Sequence, residues 1–150
     1  MLKKVVTHFM LERPVRNKSY AEVGYILEAS GENISQHISR VKDSEANRAK
    51  LRHIIGIERW AQSRLRVALG DEFTKDEYDG YAPSADTTWQ QLKDDFASTR
   101  AITIGLTNEL IIQNVPTILK IEHNSFGPVS PRGWLRYIDF HSNWESKGLK

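Results

Sequence analysis

The stretch PRGWLRYIDFHSNWESKG, residues 131–148, is the most informative part of the chain because it combines helical periodicity with two potential metal ligands. His141 and Glu145 lie four residues apart, so both project from one face of a helix. Trp134 and Ile138 belong to the same stripe, so these two polar groups point where apolar groups point. An imidazole and a carboxylate one turn apart can hold a divalent metal ion, provided that another segment supplies further ligands.

The hydrophobic periodicity of the whole chain predicts four helices and no internal repeat. We expect them over residues 20–42, 44–69, 87–113 and 131–147. Each has a side chain suited to cap its start: Ser19 with Glu22, then Asp43 or Ser44, then Asp86 or Thr87, then Ser130 ahead of Pro131. Gly24 and Gly31 weaken the first helix, where they could mark close helix contacts or a break near Gly31.

The lengths of the connections predict how these helices are arranged. The short link near residue 43 makes the first two antiparallel, and the long connection 70–86 suggests a crossover that makes the second and third parallel. The sequence therefore predicts one all-α domain over residues 1–150, a four-helix bundle with up-down-down-up topology. The second connection, 114–129, contains an apolar patch at 118–121 that could be a short extended piece.

This arrangement brings three candidate metal ligands together. His53 lies early in the second helix, while His141 and Glu145 lie late in the fourth, which runs antiparallel to it. Taken singly, each histidine is more simply explained as a satisfied core or rim residue. Burying Glu145 without a partner would cost several kcal/mol, so it needs a cation, which could be a metal ion or an Arg or Lys side chain.

Composition excludes several other classes of protein. The formal net charge is only +2 and no long run of Lys or Arg occurs, which argues against a nucleic-acid binder. The chain has no cysteine, which excludes disulfides, zinc thiolate sites and a cysteine nucleophile. No apolar run approaches the roughly 20 residues of a membrane span, and the N-terminus does not resemble a secretory signal. We therefore expect a soluble, cytoplasmic protein.

Four segments also resemble the DinB-like (DinB/YfiT-like) superfamily of metal-dependent four-helix-bundle proteins. They are HIIGIERWAQSRLRVALG (53–70), EYDGYAPS (77–84), ASTRAITIGLTNEL (97–110) and FGPVSPRGWLRYIDFHSNWES (126–146). The resemblance implies a homodimer and a nickel, zinc or similar divalent ion held by one histidine of the second helix and two of the fourth; a set of two histidines and one glutamate suits zinc, iron, nickel or manganese. His53 and His141 match two of these ligands, whereas Glu145 stands where the family most often has the third histidine.

The resemblance further implies a metal-dependent enzyme acting on a small molecule, as a hydrolase or as a transferase using a low-molecular-weight thiol. The alternative is a non-catalytic dimeric bundle with a degenerate metal site. Two other histidines are weaker candidates: His37 is expected in the core or at its rim, and His123 in turn structure.

Overall fold

The computed structural model describes residues 1–150 and is mostly helical, as the sequence predicts. Its helices are α1 (Leu2–Thr7), α2 (Tyr20–Arg40), α3 (Glu45–Ala68), α4 (Trp89–Ile112) and α5 (Pro131–Ser146). An antiparallel hairpin of β1 (Ile121–His123) and β2 (Gly127–Val129) precedes α5. The long connection between α3 and α4 contains a 3₁₀ turn at Tyr78–Tyr81.

Two features were not predicted. The first is the helical N-terminal segment, in which α1 continues through a π-helical turn (His8–Glu12) and a 3₁₀ turn (Arg13–Val15). The second is the hairpin: the extended piece expected at 118–121 begins only at Ile121 and continues to His123. The fold is therefore helical with one small two-stranded sheet rather than strictly all-α.

The long helices start and end within two residues of the predicted bounds. Ser19 and Glu22 form the predicted capping box of α2, and Ser44 and Ser130 cap α3 and α5. The predicted cap of α4 at Asp86 or Thr87 is wrong. Thr88 caps this helix instead, because its hydroxyl accepts the N–H of Gln91 while the Gln91 side chain bonds back to the N–H of Thr88.

Gly31 marks a close helix contact and not a break, since α2 is continuous through it. A Cβ atom at this position would lie only 2.8 Å from Cγ of Arg100 on α4, which is closer than two such carbon atoms can approach. The absence of a side chain thus lets Arg100 pass close to the backbone of α2.

Both α2 and α3 pack against α4 and α5, which leaves four long helices around a common interior. The buried apolar side chains form two separate clusters. One contains Leu27, Trp60, Leu110 and Trp134 with their neighbours, and the other contains Ile34, Ile54, Phe96 and Leu149 with theirs.

The buried face of α4 is only partly apolar. Trp89, Leu92, Phe96 and Leu110 are buried, but Ile102 is 47% exposed. The stripe that continues from Phe96 at helical spacing is polar, and it buries Thr99, Arg100, Thr103 and Thr107. None of the helices combines the length and the apolar composition that a membrane-spanning helix requires.

Candidate metal centre

The three predicted ligands come together between α3 and α5. His53 lies in the third turn of α3, and His141 and Glu145 lie in the last two turns of α5. The two helices pack against each other along the stripe that carries Trp134 and Ile138, both of which are fully buried. Packing of this apolar stripe therefore turns the polar groups at its end toward α3.

The distances within this group suit a shared cation. The Nε2 atoms of His53 and His141 are 3.1 Å apart, and one ligand atom from each of the three residues lies within 4.8 Å of the others. Two nitrogens bound to one zinc ion at about 2.0–2.1 Å would lie roughly 3 Å apart, so the imidazoles already have the spacing that a metal needs. The same distance also suits one N–H···N hydrogen bond between neutral rings.

Both imidazoles are in the neutral form that binds metals. Burial lowers the pKa of His141 to about 4, with a further contribution from His53. Burial also lowers the pKa of His53, although the nearby Glu145 carboxylate opposes this effect. At neutral pH both rings are therefore uncharged, and a metal ion would bind the tautomer of each ring whose Nε2 carries a lone pair.

Glu145 is ionised and already has one cationic partner. Its Oε2 accepts a hydrogen bond from Nζ of Lys50 at 2.8 Å, and this bond holds the pKa of the carboxyl below its usual value. The other oxygen of Glu145 receives no hydrogen bond from the protein. The requirement that Glu145 have a cation is thus met by Lys50, one of the two kinds of partner expected from the sequence.

Two tyrosines border the imidazoles. The ring of Tyr78, from the connection between α3 and α4, packs edge-on against His53 with centroids 5.2 Å apart. Tyr137 lies one turn before His141 on α5, with ring centroids 6.0 Å apart. Burial, with a smaller contribution from Tyr78, raises the pKa of Tyr137 to about 12, so its phenol stays protonated and can donate a hydrogen bond.

The other histidines do not belong to this group. Nε2 of His37 lies 3.1 Å from the carbonyl oxygen of Leu149, which makes His37 the rim residue that was expected. His123 was expected in turn structure but is the last residue of strand β1, where it is deeply buried in an aromatic cluster. His8 is exposed on the N-terminal segment.

Lys50 is the residue of this site that the sequence reasoning missed. It lies three residues before His53, so helical spacing puts both on one face of α3. That spacing was visible in the sequence, and the need of Glu145 for a cation was recognised, but nothing indicated which of the many basic residues would provide it.

No protein-family model, curated protein or solved structure matches this chain.

Proposed function

We propose that this protein binds a divalent metal ion through His53, His141 and Glu145, and that the metal centre acts on a small molecule. The observation that carries the proposal is the convergence of two neutral imidazole nitrogens and an ionised carboxylate from two helices. A group of two histidines and one carboxylate suits zinc, iron, nickel or manganese. Such an ion would lower the pKa of a bound water or thiol, which is the chemistry of a hydrolase or a thiol-dependent transferase.

The residues around the centre have roles that follow from their own chemistry. The protonated phenol of Tyr137 can donate a hydrogen bond to a substrate oxygen, and Tyr78 covers one edge of His53. The apolar and aromatic surroundings that keep both imidazoles neutral also keep them available as ligands over the neutral pH range.

We also propose the up-down-down-up arrangement of α2 to α5 and membership in the DinB-like superfamily. The order of contacts supports the arrangement: His53 early in α3 meets His141 late in α5, and Gly24 and Gly31 of α2 meet Thr107 and Arg100 of α4 in reverse order. The superfamily assignment rests on the resembling segments and on this site. With it goes the proposal of a cytoplasmic homodimer that does not bind nucleic acid.

Metal content and thermal stability test the proposal. Protein purified without a metal-affinity step should contain a divalent metal, or its melting temperature should rise on addition of nickel, zinc or manganese. A ligand present at a hundred times its Kd adds about 2.7 kcal/mol to the free energy of unfolding. His53→Ala should abolish both effects, whereas His8→Ala, which changes an exposed histidine elsewhere, should leave them unchanged. Absence of bound metal together with no thermal shift for any of the three ions would contradict the proposal.

A non-catalytic helical bundle is the second candidate, and specific contacts favour it. Lys50 already neutralises Glu145, and neither Nδ1 of His53 nor Nδ1 of His141 makes a hydrogen bond to the protein. Metal-bound histidines usually donate their second N–H to a protein acceptor. In this case His53→Ala would leave the metal content unchanged, and the three residues would only close one end of the interface between α3 and α5.

A further inference from the structure

The charges at the metal centre identify the class of molecule that would bind there. Glu145 and Lys50 are the only charged side chains that perturb both His53 and His141. Their charges cancel, because the carboxylate and the ammonium group form a direct ion pair. A divalent ion held by the two histidines and Glu145 would therefore leave the centre with a net double positive charge.

Lys50 is positioned so that its ammonium group and the metal ion could bind the same anionic ligand. Its side chain is 38% exposed, so the ammonium group reaches solvent while it contacts Glu145. It has three N–H donors, of which Glu145 takes one. Lys50 therefore has N–H donors left for a ligand beside Glu145, the only anionic group that perturbs both imidazoles.

We propose that Lys50 is a substrate-binding residue, and that the substrate carries an anionic oxygen group, a carboxylate or a phosphate, which would bind the metal ion and the Lys50 ammonium together. This inference rests on the metal-binding function proposed above. It adds a residue that the ligand set does not contain and excludes neutral and cationic molecules as the preferred substrates. Lys50 would keep its contact with one oxygen of Glu145 while the other oxygen faces the cation.

The competing explanation is that Lys50 only neutralises Glu145. The two explanations differ in the effect of removing the ammonium group. A purely structural lysine would stabilise the site, so that its loss would weaken metal binding. A substrate-binding lysine shares Glu145 with the metal, so that its loss would leave metal affinity equal or higher and weaken only the binding of anions.

The experiment uses the full-length protein loaded with Co²⁺, whose visible absorption reports both metal binding and a change of ligand. The protein is titrated first with Co²⁺ and then with acetate, inorganic phosphate or the uncharged acetamide. The variants are Lys50→Met, Lys50→Arg, which keeps the charge, and Lys93→Met, which removes a lysine on α4 that lies near Asp43.

We expect acetate or phosphate to bind the Co²⁺ form and acetamide not to. Lys50→Met should weaken anion binding about tenfold, the usual effect of losing one charge-assisted hydrogen bond, without lowering Co²⁺ affinity. Lys50→Arg should retain most of the anion binding, and Lys93→Met should bind anions like the wild type. The anion that binds more tightly identifies the substrate group as carboxylate or phosphate.

Three results would overturn the inference alone: equal anion affinity in Lys50→Met, equal binding of acetamide, or loss of Co²⁺ binding in Lys50→Met. Failure of the wild-type protein to bind Co²⁺ would instead overturn both this inference and the proposed function, so the two failures are distinguishable.

Discussion

His123 is a buried histidine whose hydrogen bonds fix its protonation state. Its Nδ1 accepts hydrogen bonds from the backbone N–H groups of Ser125 and Phe126, so the ring proton is on Nε2, which makes no hydrogen bond. A proton added to Nδ1 would face these two donors. Burial, with the positive charges of Arg64 and Lys3, lowers the pKa of this ring to about 4. The folded protein therefore resists protonation of His123.

This shift predicts a loss of stability in acid. Below a pH of about 6.5, His123 takes up a proton in the unfolded chain but stays neutral in the folded one until the pH nears 4. The free energy of unfolding decreases as the pH is lowered wherever the unfolded chain binds more protons than the folded one. The loss from this one residue is about 3 kcal/mol between pH 7 and pH 4. His123→Asn keeps an acceptor for the turn but cannot titrate, so its free energy of unfolding should fall less over this range, as measured by urea unfolding at several pH values.

The control for this measurement is His8→Asn, because His8 is exposed on the N-terminal segment. It should follow the pH dependence of the wild type. Some loss should remain in His123→Asn, because the pKa values of His53 and His141 are lowered as well. If the His123→Asn variant lost as much stability as the wild type, the ring would have to protonate equally in the folded and unfolded states.

At this scale the sequence identifies side chains that share a helical face, and it cannot identify their partners across the fold. His141 and Glu145 were placed correctly by their spacing, and His53 by the predicted height of its helix. The Lys50–Glu145 pair was not predicted, because the need of Glu145 for a cation did not indicate which basic residue would provide it. The burial of His123 depends on a hairpin that the sequence did not reveal.

At the scale of elements, the connection between α3 and α4 is held in place by Asp76. Its carboxylate accepts hydrogen bonds from Trp60 and Tyr81 and forms an ion pair with the buried Arg64, and its backbone carbonyl accepts a hydrogen bond from Asn124. Burial by itself would raise the pKa of Asp76, but the bonds from Tyr81 and Arg64 outweigh it and leave the pKa below its ordinary value. The long connection is therefore anchored to α3 and to the hairpin.

Removing this anchor should loosen the connection and the wall of the metal centre that it forms. Asp76→Ala leaves Arg64 buried without its counter-ion, and because Asp76 itself is one-third exposed we expect a loss of about 2 kcal/mol. Backbone amides over residues 70–86 should exchange faster with deuterium, including those next to Tyr78, whose ring contacts His53. Hydrogen-exchange mass spectrometry and urea unfolding measure the two effects.

Asp79→Ala is the matched control, because this exposed aspartate lies in the same connection and its carboxylate accepts a hydrogen bond only from the N–H of Gly80. It should leave both the exchange rates and the stability close to those of the wild type. Equal exchange in Asp76→Ala and the wild type would show that other contacts, such as that between Gly56 and Ala82, hold the connection.

Most elements could be predicted from the sequence because their signals are local. Caps and hydrophobic periodicity are contained in one or two turns, and they predict the bounds of the long helices to within two residues. The N-terminal helical segment lacks such a cap: Met1 makes no side-chain bond to the first turn. It is held instead by tertiary contacts, in which Glu12 accepts hydrogen bonds from the N–H and hydroxyl of Ser130 at the start of α5.

At the scale of the whole molecule, a buried polar layer separates the two apolar clusters. The guanidinium of Arg100 donates to both oxygens of Glu58, at 2.8 and 3.1 Å, and also to the carbonyl of Leu27 and the hydroxyls of Ser30 and Ser142. Arg100 therefore connects all four long helices. Every one of these donors and acceptors is paired, which is what allows two charges to be buried at 1–5% exposure.

The interior of the bundle could not be predicted from periodicity alone for this reason. Hydrophobic periodicity predicts that the isoleucines in the middle of α4 are buried, because it judges each residue by its own hydrophobicity. Glu58 and Arg100 can be buried because they form an ion pair with each other. This pair joins two different helices, so the periodicity of either helix does not reveal it. The one local indication of this buried layer in the sequence was Gly31, whose lack of a side chain leaves space for Arg100.

The paired charges predict strong coupling between Glu58 and Arg100. Arg100→Met or Glu58→Met alone leaves an unpaired buried charge, and each should reduce the free energy of unfolding by about 3–5 kcal/mol. The double variant removes both charges, so it should lose less than the sum of the single variants, with a coupling energy of about 2 kcal/mol or more from urea unfolding.

The exposed pair Asp43–Arg48 provides the comparison, because it has similar geometry with Arg48 Nε 2.6 Å from Asp43 Oδ1. The same set of methionine variants there should change stability little, since solvent screens both charges. Additive losses at Glu58 and Arg100 would mean that the hydrogen bonds of Arg100 to the serines and of Glu58 to Thr103, and not the ion pair, hold the layer together. Strong coupling would instead establish the pair as the contact that lets four helices share a polar interior.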